Sequence, residues 1–331
     1  MLKKFIKKNI EGAFSLATKG MQKRMLDRFV YRDIIKQKKA ASARVPLFDS
    51  VFFEVRTRCN GHCSFCLASV GNDPRSDVSM PKQLFEKILQ ELVDLEYKGR
   101  IAFHNNSEPL LFKELPEFVS KVKERLPEYY IQILTNGRSL TLQRAERLIQ
   151  AGVDQISVNV YRKKSTDSIP KVLGEIRSKL LEPMFKEGEL EVIGLGTSLF
   201  SKSPEFSFVV SPRLEDEELD SRAGTAPNKK VPASVARGFC QYPFTQLIVT
   251  ADGRVAGCCN DVLFALPMGD VNVSKVTEIW YGDRFSKLRE HLLSGNRGAV
   301  KTCAKCDFVG VKTPPPGLFP KLVYVGLRGR T

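Results

Sequence analysis

Eight cysteines in 331 residues fall into two groups with the spacing of ligands. Cys59, Cys63 and Cys66 stand as C-x3-C-x2-C just after the apolar, strand-like run 51–55. A structural zinc wants four protein ligands in a tetrahedron. Three thiolates in one short loop can instead hold a 4Fe-4S cube by three corners and leave one iron open for chemistry. A zinc loop that borrows His62 as its fourth ligand is the alternative. The second group runs Cys240, x17, Cys258, x44, Cys303, x2, Cys306, with Cys259 left over. Four thiolates gathered from distant points suffice for one further cluster, or for a structural zinc. Adjacent positions on a strand face opposite ways, so Cys259 is not expected to share the ligand role of Cys258.

The elements that must position these groups alternate. Strands are expected over 51–56, 100–103, 130–134, 154–160 and 190–195, with a sixth near 206–210. Helices are expected from Pro81, near Lys113, near Thr141 and across 166–187, and Gly99 and Gly152 stand where helices give way to strands. This is an α/β chain with a parallel sheet closed or partly closed by crossover helices, whose chemistry belongs on the loops after the strands. Those loops are polar: His104-Asn105-Asn106-Ser107-Glu108-Pro109-Leu110, then Thr135-Asn136-Gly137, then Ser157, Asn159, Tyr161 and Arg162. Each also reads as an ordinary strand-end turn, and His104 as a structural histidine. Farther on, the runs 246–250 and 254–258 flank the hairpin signal Asp252-Gly253. Helical periodicity follows over 276–280 and 284–293, with the sole Trp280 as a core anchor.

The first cysteine motif, with Phe65 before its last cysteine, resembles the signature of the radical S-adenosylmethionine (radical SAM) enzymes. The resemblance implies a partial (β/α)6 barrel in which SAM chelates the open iron and is cleaved to a 5′-deoxyadenosyl radical. Ser107-Glu108-Pro109-Leu110 looks like the family's SAM amino-group motif, usually Gly-Glu-Pro-Leu after an earlier Gly, with Asn105 and Ser107 in the glycine positions. By the same resemblance Asn106, Ser107, Glu108, Thr135 and Asn136 would lie at SAM, and Ser157 and Asn159 would meet its ribose or carboxylate. The second group, with Gly253-x4-Cys258, resembles the SPASM and Twitch extensions, here in the shortened one-cluster form. Cys240, Cys258, Cys303 and Cys306 would hold that second 4Fe-4S cluster. Cys259 is then either a buried filler or a hydrogen donor of the kind radical SAM epimerases use.

The resemblance implies hydrogen abstraction from a carbon of a sugar, aminocyclitol or related glycoside, ending in dehydrogenation or epimerisation. A peptide-modifying maturase and a non-catalytic metal-binding scaffold at a membrane are the other readings. An electron donor such as flavodoxin or ferredoxin is implied as a partner. Of the formal charge of +15, residues 1–44 hold +10, from 13 Lys or Arg against 3 acids. The basicity thus belongs to an arm of two expected amphipathic helices and not to an active-site face, which argues against nucleic acid as a partner. The arm suits an anionic inner membrane surface through residues 1–40, or it packs on the barrel. Ligand-like cysteines point to a reducing cytoplasm. The expected organisation is an arm over 1–45, a barrel over 46–235 and a small α+β cluster-binding extension with its tail over 236–331.

Overall fold

The computed structural model describes residues 45–164, 170–184, 190–193, 198–202, 206–235 and 240–308. The expected helical arm lies outside them, as do parts of the expected 166–187 helix and 190–195 strand.

Ten strands form one sheet: β1 Ser50–Phe53, β2 Arg100–Ala102, β3 Tyr130–Thr135, β4 Gln155–Arg162, β5 Leu190–Ile193, β6 Ser198–Lys202, β7 Ser207–Leu214, β8 Gln246–Val249, β9 Arg254–Ala256 and β10 Pro267–Asp270. Their order is β10-β9-β8-β1-β2-β3-β4-β7-β6-β5. The run from β8 to β7 is parallel throughout. Antiparallel strands extend it at both ends. Two expectations change here. The strand near 190 lies antiparallel at the far edge, beyond β6, and is no member of the parallel run. Its place among the parallel strands is taken by β8, which pairs with β1 in register Ser50↔Gln246 to Phe53↔Val249. The sheet therefore crosses the expected boundary near 236.

The crossover helices α1 Lys82–Asp94, α2 Leu115–Arg125 and α3 Leu142–Gln150 cover one face. Pro81 sits at the N-cap position of α1 and Thr141 caps α3, its Oγ1 accepting from Arg144 N–H at 3.2 Å. Leu84, Phe85, Ile88, Leu89 and Leu92 of α1 bury against Phe53 and Phe103 of the sheet side, and Phe85 stacks on Phe118 of α2 with centroids 4.0 Å apart. Alternation turns the opposite side chains to the inner face. There Phe52, Ala102, Ile248, Ala256 and Phe264 form a separate apolar cluster, with Cys259 packed on it. Toward the strands' amino ends the inner face is polar: Arg100 donates to Gln132, and Gln132 and Tyr130 both donate to Gln155. Beyond β10, α4 Val276–Tyr281 and α5 Asp283–Leu293 pack back on the barrel. Trp280 is fully buried; its Nε1–H donates to the Pro46 carbonyl at 3.1 Å and its ring meets Phe48 edge-on, as expected of a core anchor.

Candidate active site and cluster-binding cysteines

The loop after β1 carries Cys59, Cys63 and Cys66, and three other strand ends hold it. Glu108 N–H donates to the Arg58 carbonyl at 2.9 Å, so the loop after β2 rests against the residue before Cys59. The Asn136 carboxamide after β3 donates to Asn60 Oδ1 at 2.9 Å and to Cys59 Sγ at 3.5 Å. Ser64 N–H donates to the Glu215 carbonyl just past β7, at 2.8 Å. A side chain begun at Gly61 would stand 3.4 Å from Cys59 Sγ and 3.9 Å from Cys63 Sγ, so two sulfurs flank one glycine. Gly61 N–H donates to Cys59 Sγ at 3.3 Å. Burial pushes the Cys59 thiol up to about 11 and the Cys63 thiol up to about 12. Only a bound cation can keep such thiols as thiolates near neutral pH. His62 is exposed.

Glu108 is buried and already well supplied with donors. It accepts from Leu110 N–H at 3.0 Å, Thr135 Oγ1–H at 2.6 Å and Asn136 N–H at 2.8 Å. Burial raises its pKa while these donors pull it back. The carboxylate thus clamps the loops after β2 and β3 together, a role the motif alone did not reveal. Ser107 Oγ and His104 Nδ1 are buried with no hydrogen-bond partner. Burial, with the Arg100 charge nearby, depresses His104 to about 3, so its ring is neutral. Ser157 and Asn159 lie two residues apart on the less buried face of β4, and Asn159 donates to Tyr161 Oη at 3.5 Å. The Tyr161 ring packs on Phe65 of the cysteine loop, centroids 5.7 Å apart.

Sequence reasoning missed a buried ionic brace behind this loop. Glu54, fully buried at the end of β1, accepts from Arg75 Nη1 at 2.5 Å and Asn105 Nδ2 at 2.8 Å. Arg75 also donates to Asp73, to the Thr57 carbonyl and to the Asn106 carbonyl. The available signal was a single carboxylate inside an apolar strand, since burying an unpaired charge is costly. Asn106 reaches farther: its Nδ2 donates to the Cys259 carbonyl at 3.0 Å, and its Oδ1 accepts from Arg222.

Cys258 and Cys259 overturn one expectation. β9 ends at Ala256, so the pair lies in the following turn, and opposite faces no longer separate them. Their side chains interact, which together with burial holds the Cys258 thiol well above its ordinary value. Cys240 stands before a short helical turn, Tyr242–Thr245; Cys303 lies in Lys301–Ala304 and Cys306 just beyond. Burial pushes Cys240 and Cys303 up to about 12 and raises Cys306, with Cys258 adding to each. The four thiols therefore act on one another as one group. Asn260 N–H donates to Cys258 Sγ at 3.4 Å. Among the described residues no three Cys, His, Asp or Glu side chains converge on one metal-ion position. A cube does not require that, because each thiolate binds a different iron. Buried sulfurs, backbone N–H groups aimed at them and orphaned polar atoms beside the first loop fit such groups.

Residues 53–161 match the radical SAM superfamily, and residues 240–307 match the SPASM iron-sulfur cluster-binding domain. The chain is a radical SAM enzyme. Its cofactors are SAM and two 4Fe-4S clusters, and its parallel strands are those of a partial radical SAM barrel. The radical SAM enzyme is 29% identical over 271 residues to the S-adenosyl-L-methionine-dependent 2-deoxy-scyllo-inosamine dehydrogenase of Niallia circulans, over 81% of this chain and 96% of the relative. The crystal structure of BtrN in complex with AdoMet and 2-DOIA superposes with a TM-score of 0.64 at 27% identity, covering 82% of this chain and 97% of that one. PqqA peptide cyclase of Granulibacter bethesdensis is 29% identical over 107 residues, only 32% of this chain and 27% of the relative. No helix among the described residues is long and apolar enough to cross a membrane.

Proposed function

We propose that this radical SAM enzyme oxidises a carbinol carbon of an aminocyclitol or a closely related sugar to a ketone. The observation that carries the reading is the Asn106 junction. One side chain holds the Cys259 carbonyl beside the second cysteine set, while its own backbone is braced by Arg75 beside the first. The likeness to the Niallia circulans dehydrogenase along almost its whole length supports the same class of substrate. When bound, SAM and the first cluster supply a 5′-deoxyadenosyl radical that removes the carbinol hydrogen atom, and the second cluster supplies a place for the electron left behind.

The ligand roles fall to Cys59, Cys63 and Cys66 for the first cluster and to Cys240, Cys258, Cys303 and Cys306 for the second. Glu108 fixes the Thr135-Asn136 turn against the cysteine loop, so that SAM enters a site whose walls are already tied. Asn106 and the Ser107 hydroxyl would stand at the amino-group end of SAM, and Ser157 with Asn159 would serve its ribose or carboxylate. The carbinol hydroxyl must also lose a proton for the two-electron oxidation to balance. His104, at the carboxyl end of β2 and depressed to about 3 by burial, is too weak a base to keep that proton.

Anaerobic incubation with SAM, a one-electron donor such as flavodoxin or ferredoxin, and 2-deoxy-scyllo-inosamine tests the reading. One 5′-deoxyadenosine per ketone is expected. Deoxyadenosine with an inverted alcohol would instead make the enzyme an epimerase. That second reading draws on Cys259, whose side chain packs on the inner-face cluster of Phe52, Ala102 and Phe264. Cys259→Ala would then abolish the inverted product while deoxyadenosine still formed. Residues 1–40, outside the described residues, are proposed to rest on an anionic cytoplasmic membrane surface. Their deletion should lower binding to anionic vesicles, with the difference shrinking at high salt.

A further inference from the structure

The second cysteine set has a buried cation that no ligand role requires. Arg297 opens the turn Arg297–Ala299 that leads into Lys301–Ala304, and it is 1% exposed. Its Nη1–H donates at 2.7 Å to the carbonyl of Phe308, two residues past Cys306. The side chain therefore spans the whole Cys303 to Cys306 segment like a strap. Val300 N–H donates to the Arg297 carbonyl and Ala304 N–H to the Val300 carbonyl, which fixes where the guanidinium starts. Its Nε is buried with no partner. Among the described residues no carboxylate pairs with Arg297: Asp307 beyond the strap is taken by Lys229 and Ser221 N–H, and Asp261 near Cys258 by two backbone N–H groups. An arginine in the interior is normally matched by an anion, because an unpaired buried charge is expensive. The anion left for it is the cluster that Cys303 and Cys306 would help to hold, since both lie in the segment enclosed between Arg297 and its Phe308 contact.

We propose that Arg297 sets the reduction potential of the second cluster, its fixed positive charge favouring the reduced state. A 4Fe-4S centre held by four thiolates gains one negative charge when it accepts an electron. A cation in a low-dielectric wall stabilises that added charge more than it stabilises the oxidised centre. Charge near the cluster, hydrogen bonds and exposure are the levers that tune such potentials, and Arg297 supplies the first. The inference rests on the dehydrogenase reading only for its use: a second cluster with a raised potential readily takes the electron left on the substrate. The effect on the potential needs no substrate.

Redox titration of the holoenzyme, followed by electron paramagnetic resonance, tests it. The signal that does not change on adding SAM belongs to the second cluster. Arg297→Gln should keep its iron yet shift that cluster's reduction equilibrium at least tenfold toward the oxidised form, about 59 mV for one electron. The SAM-responsive cluster should keep its potential, and Arg297→Lys should stay near the parent. An unchanged potential in an iron-replete Arg297→Gln protein overturns the proposal. If that variant loses iron, Arg297→Lys decides: full iron at the parental potential supports a role for charge, whereas lost iron or a lowered potential means that only the strap's shape matters. Failure to oxidise 2-deoxy-scyllo-inosamine would count against the substrate reading alone.

Discussion

At the scale of single residues, the site is built by groups that satisfy one another before any cofactor arrives. Glu108 illustrates it, since three donors converge on its carboxylate. Glu108→Gln keeps the size but turns one acceptor into an N–H group facing another donor. The variant should lose about 1–3 kcal/mol of stability, read as a lowered urea midpoint, together with SAM affinity. A loss of SAM affinity at wild-type stability would show that the clamp is not needed for folding. The motif was legible in the sequence, but its inward use was not, because spacing does not say which strand-end N–H groups turn toward a carboxylate. His104 makes the second residue-scale prediction. Its folded pKa of about 3 lies below the ordinary value of 6.5, so the unfolded chain binds the extra proton and stability falls as pH drops through 6.5 toward 3. Between pH 7 and pH 5 this one ring should cost about 2 kcal/mol. His104→Gln should flatten that part of the pH dependence of the urea midpoint; an equal slope in both proteins would mean that the ring is protonated in the fold.

At the scale of elements, helices α1 to α3 and the strands they connect were legible because their apolar periods, the Thr141 cap and the turn glycines all agree. Two elements were read wrongly for physical reasons. The 190 strand has the β pattern of its neighbours, but strand patterning carries no direction, and only its partner β6 makes it antiparallel. β8 was legible as half of a hairpin, yet the parallel edge it joins lies almost 200 residues away in the chain. The apolar pattern over 254–258 reads as one strand, but β9 ends at Ala256, two residues before Cys258. The Asp252-Gly253 signal does mark the turn of the β8–β9 hairpin. Gly253 has φ +92°, a conformation that side chains resist, and a Cβ there would run into the Asn272 carboxamide that donates to the Asp252 carbonyl. Gly253→Ala should therefore cost at least about 1–2 kcal/mol. Because this hairpin leads directly to Cys258, the second cluster should also release its iron faster to a chelator, while the SAM-responsive cluster keeps its own.

At the scale of the whole molecule, the barrel and the extension share a sheet, and this makes them interdependent. β1, whose four residues are all buried, has β2 on one side and β8 on the other. Trp280 and Arg289 close the same end from the far side of the extension. The Trp280 ring packs on Phe48, and Arg289 lies over the indole at 4.0 Å while donating to the carbonyls of Pro243 and Trp280. Cutting the chain after residue 235 would remove β8, uncover the hydrogen-bonding edge of a fully buried, mostly apolar strand and open the pocket around Phe48. An uncovered, flat, hydrophobic edge pairs with other copies. The fragment 1–235 should accumulate as aggregate or melt without cooperativity even when Cys59, Cys63 and Cys66 are intact, whereas the full chain should give one cooperative transition reported by its single tryptophan. A soluble fragment that melts cooperatively and still binds its first cluster would establish 46–235 as an independent domain. The sheet would then be an assembly of two separately stable parts.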